Sequence, residues 1–206
     1  MRDVPMWALV PSGCAPVVLV GGWTTAAALQ GPSYDAVRQT ISVLAAYGAA
    51  GFWVMTGALL ALGVCHLSTA WGLRAAAPAG RAALAAGGLA ALVVALFPTP
   101  ASGGSLRHGS IAATGFALLA LWPVMATARG ARRPAPWALR RGPALVATGS
   151  MGVAALWFVF EADGRGAAGV AERLVTCMQS LWPLVVVVSC LWDQRGRADE
   201  EPRRAP

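Results

Sequence analysis

The chain has no lysine, and only 12% of its 206 residues are charged. That scarcity excludes an ordinary soluble domain, whose surface needs a denser polar cover. With 57% hydrophobic residues, a soluble fold would have to bury nearly every segment on all sides. Cysteine builds no framework either. Cys14, Cys65, Cys177 and Cys190 lie in apolar stretches with no CxxC, no CxxCH and no histidine at metal-ligand spacing. Buried free thiols are expected, and disulfides or a zinc site are not. Neither a metal nor a cofactor is expected.

What the chain does have is apolar length. A spanning helix needs about 20 mostly apolar residues, with its backbone groups bonded within the helix. Six stretches qualify: Met6 to Gln30, Tyr47 to Leu73, Ala82 to Pro100, Gly109 to Ala128, Ala144 to Ala162 and Val170 to Trp192. They are rich in the Ala and Gly that let membrane helices approach closely. The reading is therefore an all-α integral membrane bundle of six transmembrane helices, multi-pass in the cell membrane. Ala26-Ala27-Ala28 resembles a signal-peptide cleavage site, but the preceding basic region is only Arg2 and five more spans follow. Residues 1–192 read as one transmembrane domain. Residues 193–206 mix both charge signs with Pro and Gly and read as a disordered tail.

Arginine sets the expected orientation. Twelve of the 16 arginines fall in the N-terminus, the second and fourth loops and the tail, against four (Arg38, Arg107, Arg165, Arg173) on the other side. By the positive-inside rule both termini are expected in the cytoplasm. The net charge of +7 lies in short loops beside membrane segments, so the expected partner is the lipid bilayer and not nucleic acid. The two histidines, His66 and His108, fall toward opposite faces, which gives no support to a haem held between them.

Residues that could carry chemistry gather on the outer side. After the Gly31-Pro32 break, Ser33 can cap a short interfacial helix with Tyr34, Val37, Ile41 and Leu44 at helical spacing. Asp35, Gln39 and Ser42 then share one polar face, which reads either as functional or as merely solvated. Phe97-Pro98-Thr99-Pro100 leads to Arg107-His108 at the start of the fourth span, and a histidine there can titrate near neutrality. Glu161 ends the fifth span, with Trp157 one turn below it. On the sixth, Glu172, Thr176, Gln179 and Pro183 form a stripe running to mid-membrane. Polar groups at that depth are costly and should face the bundle interior. The bland reading of Glu172 is an ion pair with Arg107 or Arg165.

Nine tryptophans are the other anomaly. An aromatic belt accounts for Trp7, Trp71, Trp137 and Trp192. Trp23, Trp53, Trp122, Trp157 and Trp182 lie within spans, where they either pack or line an aromatic cavity suited to an apolar substrate or a developing cation. Pro123 and Pro183 are expected to kink their helices.

The stretch Pro32-Ser33-Tyr34-Asp35-Ala36-Val37-Arg38-Gln39-Thr40-Ile41-Ser42 carries a resemblance. With it go Met55-Thr56-Gly57, Phe97-Pro98-Thr99, Arg107-His108, and Gly169-Val170-Ala171-Glu172-Arg173 followed by Leu181-Trp182. Together these resemble a bacterial family of six-span membrane proteins, common in actinobacteria and known mainly as a domain of unknown function. Many of its members have an acidic residue after the serine, where this chain has Val43. The chain is also similar to small membrane-bound terpene cyclases of actinobacterial terpenoid pathways.

That similarity implies a protonation-initiated cyclisation of an apolar prenylated substrate, without metal. Glu172, Asp35 and Glu161 are the candidate acids, because a carboxyl group in an apolar pocket favours its neutral, donating form. His108 or a second carboxylate would take the final proton. Trp23, Trp53, Trp157, Trp182, Tyr34, Gln39, Ser42 and Gln179 are the candidate substrate-binding residues, and Asp35, His108, Glu161 and Glu172 are expected to converge above a floor of Trp53 and Trp157. The rival reading is a small transporter or a lipid- or small-molecule-binding protein without activity, and a structural scaffold is a third. A homo-oligomer is compatible with any of them.

Overall fold

The computed structural model describes residues 3–32, 34–100, 105–127, 135–162 and 166–200. Ser33, Asp163 and Arg165 therefore lie outside the described residues, and with them the expected Ser33 cap and the pairing of Glu172 with Arg165. The described residues form helices and connecting turns, with no strand among them.

The helices are α1 (Leu9–Gln30), α2 (Ile41–Leu44), α3 (Phe52–Gly72), α4 (Pro78–Leu96), α5 (Leu106–Met125), α6 (Arg141–Glu161) and α7 (Ala168–Glu200). All but α2 are long and apolar enough to cross a membrane. Each long helix packs against its neighbours in chain order, and α7 closes the ring by returning to α1. The side of α6 that carries Leu145, Val146, Val153 and Leu156 is exposed. Such a surface suits hydrocarbon and not water, and the chain is a multi-pass membrane protein.

Small residues fix how closely the ring can draw together. A Cβ added to Gly63 would press on the Gly88 carbonyl and Leu92, and one added to Gly88 would press on the Gly63 carbonyl and His66. The α3–α4 contact is therefore backbone against backbone, the close approach that small residues permit in membrane bundles.

Two apolar clusters fill the ring, one toward each end. At the end that carries α2, here termed the mouth, Leu19, Ile41, Leu44, Met55 and Leu62 pack together. Toward the other end, where α1 starts and α7 finishes, Leu73, Leu84, Trp122, Leu139, Val186 and Val187 do so.

Helix starts follow local chemistry. Pro78 opens α4 at its first turn, where its missing N–H costs nothing, so this span begins a turn before the sequence reading has it. Ser105 caps α5 and accepts from the His108 backbone N–H at 3.3 Å. Both α5 and α7 remain continuous through Pro123 and Pro183. The last helix also runs past Trp192 to Glu200, with an Arg197–Asp193 ion pair at 2.6 Å one turn apart. The first eight residues of the expected tail are thus helical.

The connection after α1 departs most from expectation. Gly31, at φ 76°, ends α1 in a conformation that side-chain-bearing residues rarely adopt. Regular helix then appears only over Ile41–Leu44. Asp35 Oδ1 accepts from the Val37 N–H at 2.9 Å, and Gln39 Oε1 accepts from the Asp35 N–H at 2.9 Å. Short polar side chains that bond nearby backbone in this way compete with helix formation. The expected shared face of Asp35, Gln39 and Ser42 therefore does not form.

Candidate functional site

Below the mouth lies a cavity of about 90 Å³, bounded by α1, α2, α3, α4, α5 and α7. Its wall is mostly Leu, Ala, Gly, Val and Ile, interrupted by Ser42, His66, Glu172, Thr176 and Gln179. Phe116 is its one aromatic hydrocarbon side chain.

Glu172, only 5% exposed, stands one turn into α7. One carboxyl oxygen accepts the Ile41 backbone N–H, which as the first residue of α2 has no partner within that helix. The other faces Ser42 Oγ at 3.4 Å. Ser42 Oγ in turn lies 3.0 Å from His108 Nε2, and His108 Nδ1 lies 2.9 Å from the Phe97 carbonyl. A carbonyl can only accept, so Nδ1 carries a hydrogen and Nε2 is the nitrogen whose proton can come or go.

The three side chains therefore form one proton-sharing chain. With His108 neutral, the Ser42 hydroxyl donates to Nε2, and a protonated Glu172 can donate to Ser42. With His108 charged, both bonds reverse, and Ser42 donates to a carboxylate. The chain can take one proton at either end, and Glu172 and Ser42 also line the cavity.

A second set of bonds holds the mouth in place. Arg173 Nη1 donates to the carbonyls of Ala36 (3.0 Å), Gln39 (3.1 Å) and Gly169 (2.8 Å). Its Nη2 donates to the Tyr34 hydroxyl, and the guanidinium stands 5.8 Å from the centre of the Trp23 ring. A Cβ on Gly169 would overlap the Gln39 and Ala36 carbonyl oxygens, so glycine is what lets the connection lie against α7. Burial raises the Tyr34 phenol above its ordinary value, although Arg173 pulls the other way. The hydroxyl thus keeps its proton and donates toward the Gln39 carbonyl at 3.3 Å.

Of the four residues expected to converge, Glu172 lines the cavity and is joined through Ser42 to His108, which does not line it, and Gln179 lies farther down the same wall. Gln179 Nε2 donates to the Phe116 carbonyl at 2.9 Å. The other two carboxylates are elsewhere. Asp35 is exposed, shapes its own turn and lies 3.7 Å from Arg38. Glu161 accepts from Trp157 Nε1 at 3.3 Å and from the Ala167 N–H at 2.9 Å, which ties α6 to the start of α7. Gln39 and Tyr34 serve the connection and do not line the cavity.

The tryptophans do not form the expected floor either. Trp53 is 80% exposed, Trp157 serves Glu161, Trp23 lies under Arg173, and Trp182 packs against Trp137 at 6.2 Å. No arginine pairs with Glu172 among the described residues, Arg107 included.

Sequence reasoning missed His66, which reaches the cavity from α3. The signal was there in Gly63, one turn earlier on the same helical face, since the small residue marks the side that meets α4.

No curated protein and no solved structure matches the chain. A family model described as "Protein of unknown function (DUF998)" matches residues 13–189, which reach into all six spanning helices and include Glu172, Ser42 and His108. The protein belongs to that family.

Proposed function

We propose that the protein binds a small apolar molecule, or the apolar end of a larger one, inside the bilayer. The apolar part occupies the cavity, and its polar group meets the Glu172–Ser42–His108 chain, which can exchange a proton with it. The observation that carries this reading is a mostly apolar cavity interrupted near its mouth by a buried carboxyl group that is hydrogen-bonded to Ser42 and through it to His108. Few, well-placed polar groups on an apolar wall are the usual composition of a ligand site. A cavity of roughly 150 Å³ accepts benzene, so about 90 Å³ suits a branched apolar end of about three or four carbons, such as the tip of a prenyl group. The arginine distribution further supports a cytoplasmic location for both termini.

The chain has only two isoleucines, Ile41 and Ile111, and both line the cavity. Methyl NMR of isoleucine-labelled protein in lipid nanodiscs, titrated with 3-methylbut-2-en-1-ol, is the direct test. Saturable shifts of both methyls are expected, and Ala112→Leu, which fills the wall, should remove them. Shifts that grow linearly in both proteins would mean partition into lipid and would refute binding.

A second reading, protonation-initiated cyclisation of a prenyl chain, is favoured by the same carboxyl group, a general acid in an apolar setting. The indole rings that would steady a cation are not on the wall, and Phe116 alone could do so. If this reading holds, Glu172→Gln should lower turnover of a prenylated substrate by roughly a hundred-fold or more while the protein stays folded.

A further inference from the structure

His66 plays no part in the Glu172–Ser42–His108 chain, yet it is 1% exposed and stands on the cavity wall. It lies 14 residues into α3, about 21 Å along that helix from the mouth. Its Nδ1 is sealed, and neither ring nitrogen has a hydrogen-bond partner among the described residues. A buried polar group without a partner is costly, and membrane helices keep such groups where a function needs them.

The ring's position decides which chemistry it offers. A neutral imidazole has one donor and one acceptor nitrogen. Placing the bare lone pair at the sealed Nδ1 avoids an orphaned N–H, the rarer and costlier defect. Nε2 then carries the hydrogen, on the nitrogen that the cavity can reach. Two acceptors on the same wall, Gln179 Oε1 and Thr176 Oγ1, make no hydrogen bond to the ring; Gln179 Nε2 donates to the Phe116 carbonyl, and Thr176 Oγ1 to the carbonyls of Glu172 and Arg173.

We propose that the inner end of the cavity is a hydrogen-bonding subsite, in which His66 Nε2–H donates to a carbonyl or ether oxygen at the deep end of the apolar ligand. This rests on the binding reading and narrows it. The ligand meets a proton-exchanging group near the mouth and a plain donor deeper in, so an unfunctionalised hydrocarbon end is disfavoured.

Two probes of one shape separate the alternatives: butanone carries the acceptor oxygen, and 2-methylbut-1-ene replaces that oxygen with a methylene group. Protein in nanodiscs, labelled with ¹⁵N-histidine and with isoleucine methyls, is titrated with each. Only two imidazoles contribute, and His66→Leu assigns them. Both probes should shift the isoleucine methyls, and only butanone should shift His66 Nε2. Butanone should also bind at least ten-fold more weakly to His66→Leu, while His66→Gln, which keeps an N–H near the same place, should recover part of the loss. If both probes move the methyls but neither, or both equally, moves His66, the subsite is wrong and the binding reading survives. If neither probe moves the methyls, both are wrong.

Discussion

The two ends of the ring treat their polar side chains differently, although one buried group without a partner, Thr56 Oγ1, also stands one turn into α3 at the mouth. At the mouth Glu172, Ser42, His108, Arg173 and Tyr34 are all bonded, mostly to the backbone of a connection with little regular structure of its own. Farther in, His66 Nδ1, Thr69 Oγ1, Trp122 Nε1 and Trp182 Nε1 are buried without partners. The difference teaches that the bonded polar groups of the mouth build the fold, and that an unpartnered group is available to a ligand only where it also faces the cavity. His66 is the one of these four that reaches the cavity.

The comparison breaks if substitutions at the two ends have equal effects on stability. Gly169→Val should have the largest effect, because the new side chain drives the connection off α7 and with it the Ile41 N–H off Glu172. A loss of about 3 kcal/mol or more is expected, read as a fall in melting temperature in detergent. Glu172→Leu should come next, at about 1 to 3 kcal/mol, since it leaves the Ile41 N–H buried and unpaired. Glu172→Gln, which keeps an acceptor, should lose less. His66→Leu sharpens the contrast: without ligand it should be neutral or stabilising, by up to about 1 kcal/mol, because no bond is lost. Asp35→Asn should be the smallest change, within about 0.5 kcal/mol, at an exposed residue whose ion pair is worth little.

The same contrast explains what the sequence could disclose. Six spans and the packing of small residues are written in composition and length, which decide whether a helix can exist in lipid. Glu172, His108 and Ser42 could be named because polar residues so close to apolar spans need a reason. Their joining could not be read from periodicity, because it depends on a nonhelical turn. Asp35 and Gln39 bond their own backbone and end the helical register that would have put them beside Ser42. Asp35 and Glu161 resembled Glu172 in type and depth, but local backbone N–H groups claimed them. The tryptophans carried no directional signal, since a ring of that size suits lipid, interface and cavity alike. His66 could be found through Gly63, one turn earlier on the face of α3 that meets α4, but its depth set it apart from the polar residues at the span ends.

The most direct test of the account is to see where an apolar ligand goes. Protein in phosphatidylcholine nanodiscs would be photolabelled with a diazirine analogue of 3-methylbut-2-en-1-ol, and the modified residues mapped by mass spectrometry. The account predicts labelling at Leu59, Leu62, Ile111 and Phe116 on the cavity wall, suppressed by excess unlabelled alcohol. Labelling confined to the exposed α6 residues Val146, Val153 and Leu156, and indifferent to the competitor, would contradict it.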